Sequence, residues 1–185
     1  GFILSRATVV QSVGDDAQDN FIDYLSAFKS KPDKLTVIKN GIEIDGFAEK
    51  RVMPKGGIRK QVGINNDEFL FGFLGRFMPQ KGFECLIDAV EILSKDEKWK
   101  NKIKILAVND GDYIKRYKRF IIERHLNDYF IFYGFVPDVG VIINDLDAVL
   151  MPSLWEAYSL QPAEAFIMGC PVIAANSIGL REVVK

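Results

Sequence analysis

Glu68-Phe-Leu-Phe-Gly-Phe-Leu-Gly-Arg-Phe-Met-Pro-Gln-Lys-Gly82 joins a strand pattern to a turn and the start of a helix pattern. Residues 69–74 are apolar almost without interruption, the pattern of a strand covered on both faces. A proline-containing turn follows. From Phe83 the spacing changes, with Phe83, Leu86, Ile87, Val90 and Leu93 recurring at three and four, which is one face of a helix. Working outward, runs rich in β-branched and aromatic residues recur at Ala7–Val10, Thr36–Lys39, Glu68–Leu74, Lys102–Val108, Tyr129–Tyr133, Asp147–Met151 and Pro171–Ala175. Ile114, Tyr117, Phe120 and Ile121 form a second helical stripe between two of them. Strand and helix in alternation predict an α/β protein, a Rossmann-like doubly wound parallel sheet with helices on both faces. Such a sheet binds ligands at the carboxyl ends of its strands. Residues 40–66 break the alternation and read as a linker with one short helix. The basic run from Lys50 to Lys60 within it reads as a solvated face rather than a phosphate or membrane surface.

Composition narrows the function classes. A hydrophobic share of 48% over 185 residues supplies a core and argues against disorder. Twenty-four basic against 25 acidic residues leave a formal charge of -1, so no overall field attracts nucleic acid. Cys85 and Cys170, the only cysteines, sit in apolar periodic segments and read as reduced core thiols. No apolar run approaches the roughly 20 residues of a membrane span, and Gly1–Arg6 is too short for a secretory signal. The expectation is a cytoplasmic protein. Both ends read as cut from a longer chain.

The chemistry clusters at strand-to-helix junctions. Arg76 falls just past the central strand and Lys81 just before a helix. A planar guanidinium fork, an ammonium and free helix-terminal N–H groups together suit an anion. Gly-x-x-x-x-Gly-Lys-Ser/Thr and Gly-x-Gly-x-x-Gly are both absent, which argues against a P-loop and a dinucleotide fingerprint. On local sequence alone the two cations read equally well as surface charges. Glu156 and Glu164, separated by seven residues, fall in a loop and in the first turn of the next helix. Both can reach one ligand, and carboxylates accept hydrogen bonds from vicinal hydroxyls. Alternatively, Glu164 complements the helix macrodipole and Glu156 is a solvated loop residue. With Ser159 as N-cap, the N–H groups of Ser159 and Leu160 point outward. Together with Arg76 and Lys81 they bracket a diphosphate, and Glu164 lies within reach of its ribose. Asp145-Leu-Asp147 and Asp110-Gly-Asp112 read as structural rather than metal-chelating, and His125 as a helix terminator rather than a base.

Taken in order, Asn40-Gly-Ile, Gly75-Arg-x4-Lys81-Gly, Pro152-Ser-x-x-Glu156-x7-Glu164-Ala, Gly169-Cys-Pro-Val-Ile173 and Gly179-Leu-Arg-Glu-Val183 resemble the donor-binding half of the family four retaining glycosyltransferases. These have the two-domain GT-B fold. The resemblance makes residues 1–35 the tail of the acceptor-side domain and 36–185 the nucleotide-sugar-binding domain, truncated at its C-terminus. It implies that Arg76 and Lys81 hold the nucleotide diphosphate and that Glu164 holds the ribose. Glu156 faces the transferred sugar and the reacting centre, and Val136 and Asp138, in Gly134-Phe-Val-Pro-Asp138, lie near the nucleobase. The implied activity is retaining hexosyl transfer from a nucleotide-diphosphate sugar, without a metal requirement, in polysaccharide, lipopolysaccharide or glycolipid synthesis. The implied acceptor is a glycan or lipid-linked glycan bound by the acceptor-side domain, which leaves this chain inactive alone and allows peripheral contact with the cytoplasmic face of a membrane. A non-catalytic sugar-nucleotide-binding module of a larger assembly is the alternative. Two places depart from the family pattern: Glu156-Ala-Tyr-Ser stands where Glu-Gly-Phe-Gly is usual, and Asn109-Asp-Gly-Asp112 replaces a glycine-led turn.

Overall fold

A computed structural model describes residues 6–25 and 28–184. Five parallel strands form the main sheet in the order β5-β4-β3-β6-β7, where β3 is Phe69–Leu74, β4 Ile103–Val108, β5 Phe130–Gly134, β6 Ala148–Met151 and β7 Val172–Ala174. The helices between them are α4 (Phe83–Ser94), α5 (Ile114–Glu123), α6 (Gly140–Ile143) and α7 (Gln161–Ile167), with α8 (Leu180–Val183) last. The expected doubly wound α/β architecture is present.

Alternation along the strands divides the core in two. Phe73 of β3 and Ile103, Ile105 and Ala107 of β4 pack with Phe83, Leu86, Ile87 and Val90 of α4 and with Tyr117 and Ile121 of α5. Leu70, Leu74, Leu106 and Val108 point the other way, onto Ile142 and Ile143 of α6, Ala165 of α7 and Leu180 of α8. Each of the larger apolar side chains contributes about 1.5–3 kcal/mol when fully buried. The helical stripes read at Phe83–Leu93 and Ile114–Ile121 are therefore the faces that meet the sheet.

Three expectations are corrected. Residues 40–66 carry two short helices, α2 (Asp45–Arg51) and α3 (Gly57–Gln61), because Phe47, Ile58, Val62 and Ile64 pack against the second core cluster. The first strand is β1, Val10–Ser12, rather than Ala7–Val10. It pairs in parallel with β2, Leu35–Val37, through Val10–Leu35 and Ser12–Val37, with α1 (Asp15–Tyr24) between them. The strand at 35–37 thus joins the leading segment instead of the main sheet, and it straddles the expected boundary at residue 35. Cys85 is exposed on the outer face of α4, whereas Cys170 is buried as expected and burial pushes its thiol up to about 11.

Among the described residues no helix is long and apolar enough to cross a membrane.

Candidate functional site

Chain direction selects the site before any side chain does. From β3 the chain steps outward through β4 to β5, then returns past β3 to β6 and β7. Successive connections diverge between β3 and β6, which opens a crevice at their carboxyl ends. The segments leaving those two strands carry Arg76 and Lys81 on one side and Glu156 and Glu164 on the other.

Lys81 ends a 3-10 turn, Pro79–Lys81, which abuts the loop after β6. Leu154 N–H donates to the Gln80 carbonyl at 2.9 Å, and Gln80 Nε2 donates to the Trp155 carbonyl at 2.9 Å. This close approach requires Gly82. Its φ is +68°, and a Cβ there would lie 2.0 Å from the Pro152 carbonyl oxygen. Gln161, the first residue of α7, donates through Nε2 to the Leu74 carbonyl and ties that helix to the end of β3.

Glu156 is 8% exposed and strongly engaged. Its Oε1 accepts from Lys81 Nζ at 2.6 Å and from the hydroxyl of buried Ser153 at 2.7 Å. Its own N–H donates to the Ile178 carbonyl at 3.1 Å. Gly179 backs this loop with φ +78°, where a Cβ would meet the Glu156 carbonyl oxygen at 2.2 Å. The solvated-loop reading of Glu156 is thereby excluded. Arg76 is exposed, and among the described residues its side chain has no ion-pair partner. Glu164 sits in the first turn of α7, half-buried, and no described group pairs with its carboxylate. Burial pushes that carboxyl above its ordinary range. A partly desolvated carboxylate with free acceptor capacity is chemically suited to vicinal hydroxyls.

The remaining candidates divide. Ser159 does not cap α7: the helix starts at Gln161 with Leu160 at the N-cap in helical conformation, and no side chain caps it. The loop reaches the helix one residue later than the Ser159 cap requires. Ala157 and Ser159 cause no backbone strain, since the non-glycine residues with positive φ among those described are Asn101, Asn109 and His125. Asn109 takes φ +112°, so the glycine-type conformation survives there with asparagine in place, its Oδ1 accepting from Asp110 N–H at 2.8 Å. Val136 packs against the second core cluster. Asp138 accepts from Gly140 N–H at 3.0 Å and pairs with Lys50 at 3.2 Å, so its carboxylate faces α2 and α6.

Asp145 and Asp147 have the structural roles expected of them. Asp145 accepts from the N–H groups of Gly56, Ile58 and Arg59 at 2.5, 2.6 and 3.3 Å and anchors the start of α3. Asp147 accepts from Leu70 N–H at 2.6 Å and Arg59 Nη1 at 2.9 Å. His125 ends α5 at φ +57°.

Sequence reasoning missed a clasp behind the site. Asp16 in α1 receives Arg181 Nε and Nη2 at 2.7 and 2.8 Å and Gly179 N–H at 3.2 Å. Asp16 N–H donates to Glu182 Oε2 at 3.1 Å, and Lys39 pairs with Glu182 Oε1 at 2.6 Å. Gly179-Leu-Arg-Glu was the visible half of this network. Its partner lies 163 residues away, too far for any local pattern to connect.

Known proteins share this chain's sequence pattern and fold. The chain is 29% identical over 168 residues to an uncharacterised glycosyltransferase of Methanocaldococcus jannaschii, covering 86% of this chain and 41% of the relative. It is 28% identical over 156 residues to the UDP-Gal:alpha-D-GlcNAc-diphosphoundecaprenol alpha-1,3-galactosyltransferase of Escherichia coli, covering 83% and 40%. The chain thus spans about two-fifths of the length of these relatives. In structure it superposes on HepE of Anabaena in complex with UDP-glucose with a TM-score of 0.78, at 26% identity, over 97% of this chain and 48% of that one. The five-stranded sheet and its flanking helices match GT-B glycosyltransferases. Residues 55–185 match the sequence profile of glycosyl transferases group 1, and the chain belongs to that family.

Proposed function

We propose that this chain binds a nucleotide-diphosphate sugar and holds it for retaining hexosyl transfer to a glycan or lipid-linked acceptor, in polysaccharide, lipopolysaccharide or glycolipid synthesis. The supporting observation is the 2.6 Å pairing of Lys81 with Glu156 between the segments that leave β3 and β6, the same segments that carry Arg76 and Glu164. UDP and UDP-glucose in the HepE structures add support for the ligand class.

In this reading Arg76 and Lys81 take up charge as the diphosphate leaves. The N–H groups of Ser159 and Leu160 add donors, Glu164 accepts from the ribose, and Val136 and Asp138 flank the base. Glu156 orients the sugar and stabilises positive charge at the reacting carbon. A retaining glycosidase places a second carboxylate for covalent catalysis. Here Glu164 is committed to the ribose, which favours front-face substitution. The diphosphate is neutralised by side chains, so the reaction has no metal requirement. The acceptor is bound by the acceptor-side domain, so the 185 residues bind donor without turnover. The protein works at the cytoplasmic face of a membrane when its acceptor is lipid-linked.

Calorimetric titration of the chain with uridine, guanosine and adenosine diphosphates, with and without magnesium, tests this reading. Saturable binding of one of them, independent of magnesium and weakened about tenfold to a hundredfold in Arg76→Ala, is expected. Saturable binding of none, or an absolute need for magnesium, would overturn it.

A further inference from the structure

We infer that Ser153 is a positioning residue for Glu156, selecting which carboxylate oxygen meets the transferred sugar. The inference rests on the donor-site reading above and assigns a role to a residue that the motif reasoning left without one. Ser153 is 3% exposed, two residues past β6, and its hydroxyl donates to Glu156 Oε1 at 2.7 Å. Lys81 Nζ donates to the same oxygen at 2.6 Å. Oε2 has no partner among the described residues, yet it is not one of the sealed, unsatisfied buried atoms. One oxygen is therefore doubly held and the other is left to accept from a sugar hydroxyl.

The two donors are not equivalent. Lys81 is an ammonium on a flexible stem whose remaining hydrogens are needed by phosphate. It can turn away as a diphosphate arrives. Ser153 is neutral and walled in, so it can hold the carboxylate through that exchange without cancelling its charge. A glutamate fixed before binding does not lose its rotamer freedom when the sugar arrives, which is where preorganisation raises affinity. Ser153 should therefore act on the sugar and not on the nucleotide.

The test compares UDP with UDP-glucose by calorimetry on the whole chain. In Ser153→Ala, UDP affinity should stay within about twofold, while the ratio of UDP-glucose to UDP affinity should fall about tenfold. Ser153→Cys, close in size and a weak donor, should fall between. Adding Ser153→Ala to Glu156→Gln should cause little further loss in that ratio. Retained UDP binding reports that the variant is folded. An unchanged ratio, or equal loss on both ligands, overturns the role of Ser153 and leaves the donor site standing. If the unmodified chain binds guanosine or adenosine diphosphate instead, the same ratio is read with that nucleotide and its glucose ester, and binding of none of the three overturns both.

Discussion

Gly82→Ala, measured against Gly63→Ala, isolates the close approach that assembles the site. Both glycines have positive φ, +68° and +73°. A side chain in that region costs about 1–2 kcal/mol at either position. At Gly63 a new Cβ meets nothing within 4 Å, so this strain is the main cost. At Gly82 the Cβ would sit 2.0 Å from the Pro152 carbonyl oxygen and 2.8 Å from its carbon, both backbone atoms. The 3-10 turn must back away by more than 1 Å to reach ordinary contact, and the bonds from Leu154 N–H to Gln80 and from Gln80 to Trp155 stretch with it. At about 1 kcal/mol each, these bring the loss to about 3–4 kcal/mol. For a domain of this size 1 kcal/mol shifts Tm by about 2–4 °C. Calorimetric melting should therefore show a drop of about 2–8 °C for Gly63→Ala and about 6–16 °C for Gly82→Ala. Lys81 moves with the turn, so UDP affinity should fall at least about tenfold in Gly82→Ala and stay unchanged in Gly63→Ala. Equal drops in Tm with equal UDP affinities would refute the claim that Gly82 docks Lys81 against the Glu156 loop.

Three further outcomes are expected. Glu164→Gln should bind UDP about tenfold to a hundredfold more weakly and yet be the more stable protein at pH 7. Burial raises the Glu164 carboxyl above its unfolded value, so the native state binds the extra proton and stability falls as pH rises from the unfolded value through the folded one. The glutamine removes that penalty, and the gain in Tm should vanish by about pH 4, near the ordinary range of the group. Asp145→Ala should lower Tm by removing the acceptor for three N–H groups at the start of α3 while leaving UDP affinity unchanged. Loss of nucleotide binding in a variant that melts cooperatively would show that the Asp-x-Asp pair has a ligand role. Iodoacetamide at pH 8 should label one thiol, exposed Cys85, in the native chain and two after unfolding, because Cys170 is buried with its thiol pushed up to about 11.

Local pattern in the sequence was enough for the sheet and for naming the residues of the candidate site. Continuous apolarity at Phe69–Leu74 and the change to helical spacing after Phe83 follow from local periodicity, and periodicity is set by which faces must be buried. Arg76, Lys81, Glu156 and Glu164 were legible as candidates because they fall in the segments that leave β3 and β6, at the edge where a parallel sheet binds ligands. Only the tertiary structure decided how those residues meet. That Lys81 and Ser153 share one oxygen of Glu156, that Asp145 caps α3 from 87 residues away, and that Asp16 clasps Arg181 across 165 residues are consequences of packing between distant segments. The capping of α7 was misplaced at Ser159 because a cap depends on where the incoming loop turns. Here that loop is held by Gly179 and by Gln161 on Leu74. Local pattern fixes which residues face inward, while the partner each polar group finds is set by the whole chain.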